Sequence, residues 1–289
     1  MRVVTLTLLA AHARALVAPA VSPKQSLVGL FRERRDDVLS CPVSLAPLNA
    51  STSFYGGVAR VDYRCSEFGT RYGAAAGGAY VDLTPADDGA QAPWWSPRRS
   101  RAERVQTDLF RLPTISFAYE RGWRQNFERA GFPGIDAEFD EVDGFFADGA
   151  AARAAEAVAD AVDAGADDAG AAAGAAAAAR AAERDVVLDL SCGSGLMTRR
   201  LARSRRYARV IGADYSESML LEARRRFGAG SAVGQRGAEP ALDRADWPML
   251  VRADAARLPI ASGALAGVHV GAALHCWPRI EEGLSLIHI

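Results

Sequence analysis

Short apolar runs, broken by glycine-bearing turns and by helix-period stretches, dominate the last third of the chain. Val186 to Leu190 (VVLDL) has the pattern of a strand buried on both faces. A tight turn, Cys192-Gly193-Ser194-Gly195, follows, and then Leu196, Met197 and Leu201 recur on one side of a helix with arginines on the other. The alternation repeats. ARVIGAD (208–214) reads as a second strand. SESMLLEARRRF (216–227) reads as a helix with Ser216 as its N-cap and Met219, Leu220, Ala223 and Phe227 on one face. MLVRAD (249–254) and GVHVG (267–271) read as a third and a fourth strand, and 228–247 as a loop with at most a helical turn. Strand, turn and helix in succession predict an α/β fold around a parallel sheet.

Upstream the pattern changes. Residues 36–90 predict a small β module of hairpins packed on aromatics such as Tyr55 and Tyr63. Residues 105–145 predict a helical segment whose bulky apolar side chains alternate with Glu120, Arg121, Arg124 and Gln125. Residues 147–183 are mostly alanine, with glycines at 165, 170 and 174, and predict a loosely helical or disordered linker without chemistry. Residues 184–289 then carry the α/β domain.

Composition narrows the function classes. A chain of 289 residues with 49% hydrophobic residues can bury a sizeable core. A net charge of −1 gives no general attraction to nucleic acid or anionic membrane. The basic cluster after the tryptophan pair at 93–104 has no interleaved aromatics and reads as a solvated linker. The four cysteines, Cys41, Cys65, Cys192 and Cys276, are scattered and form no disulfide framework. Residues 1–20 have a positive start, a short apolar core and a small-x-small site at Ala13-Arg14-Ala15, the form of a targeting presequence; the apolar run is too short to span a bilayer.

The candidate chemistry is concentrated at the ends of the predicted strands. Gly193 and Gly195 remove Cβ atoms where a ligand approaches the backbone, and the following helix start offers free N–H groups. Asp214 ends the second strand about twenty residues on, where a carboxylate can take ribose hydroxyls. Asp254 ends the third. Asp189 lies inside the first strand.

DLSCGSG, GADYSESML, RADAARLP and LHCWP together resemble class I S-adenosylmethionine-dependent methyltransferases, most closely a plant and algal plastid group of the methyltransferase type 11 kind. FRLPTISFAYERGWRQNFERAGFPG (110–134) resembles that group's own signature. The resemblance implies a Rossmann-like core with strands in the order 3-2-1-4. It also implies that the sheet is incomplete, since the family continues with further strands that GLSLIHI does not resemble; the chain is expected to be truncated. It implies S-adenosylmethionine as cofactor. Asp189 would serve its amino group, and Ser191, Cys192, Gly193, Ser194 and Gly195 would pass under its methionine part. Asp214 would hold the ribose hydroxyls, Asp254 and the Ala255 N–H would serve the adenine, and Met197 or Leu258 would pack on its face; Tyr215 and Met219 would also lie at the cofactor. Ser191 stands where the family usually has glycine. The resemblance puts Tyr119, Trp123, Arg124 and Trp277 on the substrate side, with His275 as a candidate base for a weakly acidic acceptor. It further implies a small-molecule acceptor and a plastid location.

SCPVSLAPL (40–48) and YRCSEFGTRYG (63–73) have the shape of two zinc knuckles. Ser44 and Phe68 replace the second cysteine of each pair, and two thiolates do not close a tetrahedral site, so no metal is expected. Bacterial rRNA guanine methyltransferases share this layout with intact cysteines, which makes a nucleic-acid acceptor the alternative; a non-catalytic fragment is another. A nicotinamide-dependent oxidoreductase would want a third glycine where Thr198 stands.

Overall fold

The computed structural model describes residues 38–55, 58–75, 77–84, 131, 133–229, 240–277 and 279–287. The presequence, the basic cluster and the substrate-side candidates Tyr119, Trp123 and Arg124 lie outside the described residues. The elements are β1 (Leu48–Tyr55), β2 (Val58–Cys65), β3 (Arg71–Ala75), β4 (Tyr80–Asp82), α1 (Ile135–Asp163), α2 (Asp168–Ala182), β5 (Val186–Leu190), α3 (Leu196–Ser204), β6 (Arg209–Asp214), α4 (Glu217–Ala229), β7 (Met249–Arg252), β8 (Gly267–His269) and α5 (Ile280–Ile287).

The four strands of the C-terminal part are parallel and ordered β7-β6-β5-β8, which is 3-2-1-4. Successive strand residues serve opposite faces, as a pleat requires. Val187, Val210 and Leu250 pack with Leu201, Leu220 and Phe227 of the helical layer. Leu188, Ile211 and Val251 pack on the other side with Leu39, Tyr63 and Trp277. Both faces are covered, and the runs read as continuously apolar for that reason.

The N-terminal module does not stand apart from this sheet. Its antiparallel meander β1-β2-β3-β4 continues into the parallel strands, because β4 pairs with β7 through Val81↔Val251 and Asp82↔Arg252. The Leu83 N–H donates to the Arg252 carbonyl at 2.9 Å. The three-residue β4 is too short for the sequence to advertise.

Tight turns stand at 41–45 and 65–69. The Leu45 N–H donates to the Cys41 carbonyl at 2.8 Å with Leu45 at φ 60°, and the Gly69 N–H donates to the Cys65 carbonyl at 2.9 Å with Gly69 at φ 66°. The Ser44 hydroxyl meets the Cys65 thiol at 3.5 Å, and the Tyr72 hydroxyl meets the Cys41 thiol at 3.3 Å. Hydrogen bonds thus join the two turns. Among the described residues no three His, Cys, Asp or Glu side chains gather as a metal site.

The alanine-rich segment differs from the expected loose linker. Helix α1 is continuous across residue 147, and α2 folds back on it. Alanine's helix propensity carries both, and the Asp167 carboxylate caps α2 by accepting from the Gly170 N–H at 2.8 Å. The first half of α1 docks on the sheet through Val142 and Phe146, whereas α2 buries no residue. Gly267 makes that docking possible: a Cβ there would lie 2.3 Å from the Phe146 ring. Residues 280–287 form α5. Its Gly283 lies against Trp277 so closely that a Cβ would come within 2.8 Å of the indole.

Candidate functional site

The ends of β5, β6 and β7 open into a cleft. It lies beside the switch between β5 and β8, where doubly wound sheets bind ligands. Ser191, Asp214, Tyr215, Asp254, Ala255 and Trp277 of the predicted site line it.

The turn after β5 is held by its neighbours. Ser191 takes φ 59°, a left-handed conformation that favours glycine. The serine hydroxyl offsets that cost by accepting from the Trp277 indole N–H at 2.8 Å, which fixes the wall of the cleft. The Gly193 N–H donates to one oxygen of Asp214 at 2.8 Å, and the Ser216 N–H to the other at 2.8 Å. The Tyr215 N–H adds a third bond, which leaves one of the carboxylate's roughly four acceptor sites for a ligand hydroxyl. Loss of water around the Asp214 carboxyl, with the nearby Asp189, outweighs these three N–H bonds and raises its pKa to about 6. Gly195 begins α3 at φ 75°, and a Cβ there would come within 3.0 Å of the Ala223 methyl and 3.2 Å of Phe227.

Asp254 caps the short 3-10 turn at 255–257, accepting from the Ala256 N–H at 3.1 Å. Arg279 reaches its other oxygen at 3.8 Å and binds Glu282 at 2.7 Å. Burial and the nearby Asp214 push the Cys276 thiol up to about 11, so it stays protonated in the cleft wall at neutral pH.

Asp189 is placed differently from its expected role. Both of its oxygens are engaged beneath the turn: one receives the Thr198 hydroxyl at 2.5 Å, the other meets His269 Nδ1 at 2.8 Å. His269 Nε2 meets Glu138 of α1 at 3.2 Å. Burial alone would lower the His269 pKa, but the hydrogen bonds to Asp189 and Glu138 outweigh it and raise it to about 9. The imidazolium donates to both carboxylates and links α1, β5 and β8.

Met219 packs inside α4 rather than in the cleft. Leu258 lines a second, apolar cleft with Leu45, Ile260, Leu265, Val268 and Ile287. The exposed His275 does not line the first cleft; its Nε2 meets the Cys276 thiol at 3.2 Å. Ala253, Ala256 and Arg279 were not foreseen, and neither was His269. A lone polar residue inside the apolar run GVHVG was the signal for His269. The cation directly after Trp277-Pro278 was the signal for Arg279.

The parallel order 3-2-1-4, the left-handed glycine turn and the acids ending β6 and β7 define a Rossmann-like domain of the class I methyltransferase type. Comparison with known proteins agrees. Residues 187–288 match the family described as a methyltransferase domain. Two chloroplastic methyltransferases of Arabidopsis thaliana, both named as uncharacterised, are similar to this chain. One is 31% identical over 275 residues, 93% of this chain and 64% of the relative; the other is 34% identical over 192 residues, 66% and 42%. A malonyl-[acyl-carrier protein] O-methyltransferase of Legionella pneumophila is 34% identical over 89 residues, 31% of this chain and 26% of the relative. This chain therefore spans less than two thirds of the length of each of these relatives. Residues 187–288 are thus similar to a methyltransferase domain, and most of the chain is similar to a methyltransferase named as chloroplastic.

Proposed function

We propose that the cleft binds S-adenosylmethionine and that the protein transfers its methyl group to a small-molecule acceptor in the plastid. The observation that carries the reading is Asp214, held by the Gly193 and Ser216 N–H groups with acceptor capacity left over, at the floor of a cleft whose far wall carries Asp254. The donor set suits a cofactor with ribose hydroxyls, an exocyclic amine and no phosphate. Asp214 would take the ribose hydroxyls, Asp254 the adenine amine, and the turn at 191–195 would lie under the methionine part.

When bound, the cofactor would supply a methyl group on a sulfonium, whose methyl carbon an acceptor can attack in line while the neutral thioether leaves. What remains for the protein is alignment and exclusion of water. Trp277, fixed through Ser191, walls the cleft on the side of β8 and excludes water there. Asp189 supports the turn from below through Thr198 and His269, and its engaged oxygens favour this positioning role over direct contact with the cofactor amino group. The plastid location rests on the names of the two Arabidopsis relatives. No helix among the described residues is long and apolar enough to cross a membrane.

Calorimetric titration of the full chain with S-adenosylhomocysteine tests the reading. Binding in the micromolar range, lost in Asp214→Ala, is the expected outcome. Binding of NAD without S-adenosylhomocysteine would overturn it.

A further inference from the structure

Residues 214–217 carry the ribose carboxylate, and two elements grip them. From β7, the Arg252 Nε–H donates to the Tyr215 carbonyl at 3.1 Å, and the guanidinium lies 5.6 Å from the Tyr215 ring centre. From β4, in the N-terminal meander, Asp82 accepts from Arg252 Nη1 at 3.0 Å. Asp82 is itself set by Thr84, whose hydroxyl and N–H donate to its other oxygen at 2.6 and 3.0 Å. Two residues earlier on β4, the Tyr80 hydroxyl donates to Glu217 at 2.7 Å, at the start of α4. Tyr80 is buried, and the Arg252 side chain is only 15% exposed.

We propose that Asp82 and Tyr80 are positioning residues for the adenosine half of the cofactor cleft, so that the N-terminal meander completes the cofactor site. The proposal rests on the cofactor reading above. The carbonyl of Tyr215 follows directly on Asp214, and Tyr215 lines the cleft. Arg252 can hold that carbonyl only while something aims its guanidinium. Asp82 does so across the β4–β7 seam, with the strand pairing fixing the distance. Tyr80 holds the far end of the same four residues. With either bond removed, the 214–217 turn has to be ordered by the ligand at the moment of binding, which weakens affinity. The grip is on the ribose side, so the loss falls on the adenosine portion of any ligand and leaves the methionine portion alone. A merely structural role would lower the melting temperature without this partition.

The experiment is calorimetry of the full chain with S-adenosylhomocysteine and with adenosine, alongside thermal melts. Asp82→Asn is expected to weaken both ligands by the same factor, about tenfold, and Asp82→Glu to restore most of the affinity. Tyr80→Phe keeps the ring and removes one hydrogen bond; its expected loss is about threefold for both ligands. If Asp82→Asn lowers the melting temperature strongly, Tyr80→Phe decides. Variants that bind both ligands like the wild type, or that lose affinity for S-adenosylhomocysteine but not for adenosine, overturn the proposal. A wild-type chain that binds no S-adenosylhomocysteine overturns the cofactor reading first, and this proposal with it.

Discussion

Asp214 and His269 carry charge in opposite circumstances, and pH separates them. The Asp214 pKa stands at about 6, above its ordinary 3.8. Its ionisation therefore costs the fold, and stability from this group falls as pH rises from about 4 to 6. Ribose recognition needs the ionised form, so affinity for S-adenosylhomocysteine is expected to rise through the same window. Asp214→Asn should flatten that profile and weaken binding by about 1.5–3 kcal/mol, read by titrations at pH 5, 6 and 7. His269 has a folded pKa of about 9 against an ordinary 6.5. Its contribution is complete below about 6.5 and is lost as pH rises through 9. His269→Leu leaves the buried Asp189 and the half-buried Glu138 without the cation between them and should cost about 3–5 kcal/mol, measured by urea denaturation at pH 7. Asp214 and Asp254 were legible in the sequence because each closes an apolar run. Asp189 was legible as an acid but not as one already committed to Thr198 and His269, since its partners come from β8 and α3 and the pairing is made only by the fold.

At the scale of elements, β5, α3, β6 and α4 could be read from periodicity because each buries a regular face. The alanine-rich hairpin could not, because a sequence without bulky residues says little about where helices stop and turn. Its halves should differ. Phe146 lies against Gly267 at a distance that admits no methyl, so Gly267→Ala should destabilise the protein by about 1–3 kcal/mol and lower its melting temperature. Beyond Arg153, which pairs with Asp185, little of the hairpin touches the sheet. Replacing residues 157–181 by a short Gly/Ser linker should change affinity for S-adenosylhomocysteine by no more than about twofold. Calorimetry on the shortened chain checks this.

For the whole molecule, the knuckles bear on metal content. The Cys65 and Cys41 sulfurs are hydrogen-bonded to Ser44 and Tyr72 respectively. The purified protein is expected to contain no stoichiometric zinc, and a chelator should leave its melting temperature unchanged. Elemental analysis finding about one zinc per chain would contradict this. The seam between β4 and β7 has a different consequence, one of timing. Asp82 and Arg252 are 170 residues apart. In a chain made N-terminus first at roughly 5–20 residues per second, β4 waits on the order of ten to thirty seconds for its partner. Until then the meander presents a bare strand to whatever else is nearby. A long strand in that position would recruit neighbouring nascent chains. At three residues, β4 offers them almost nothing to hold.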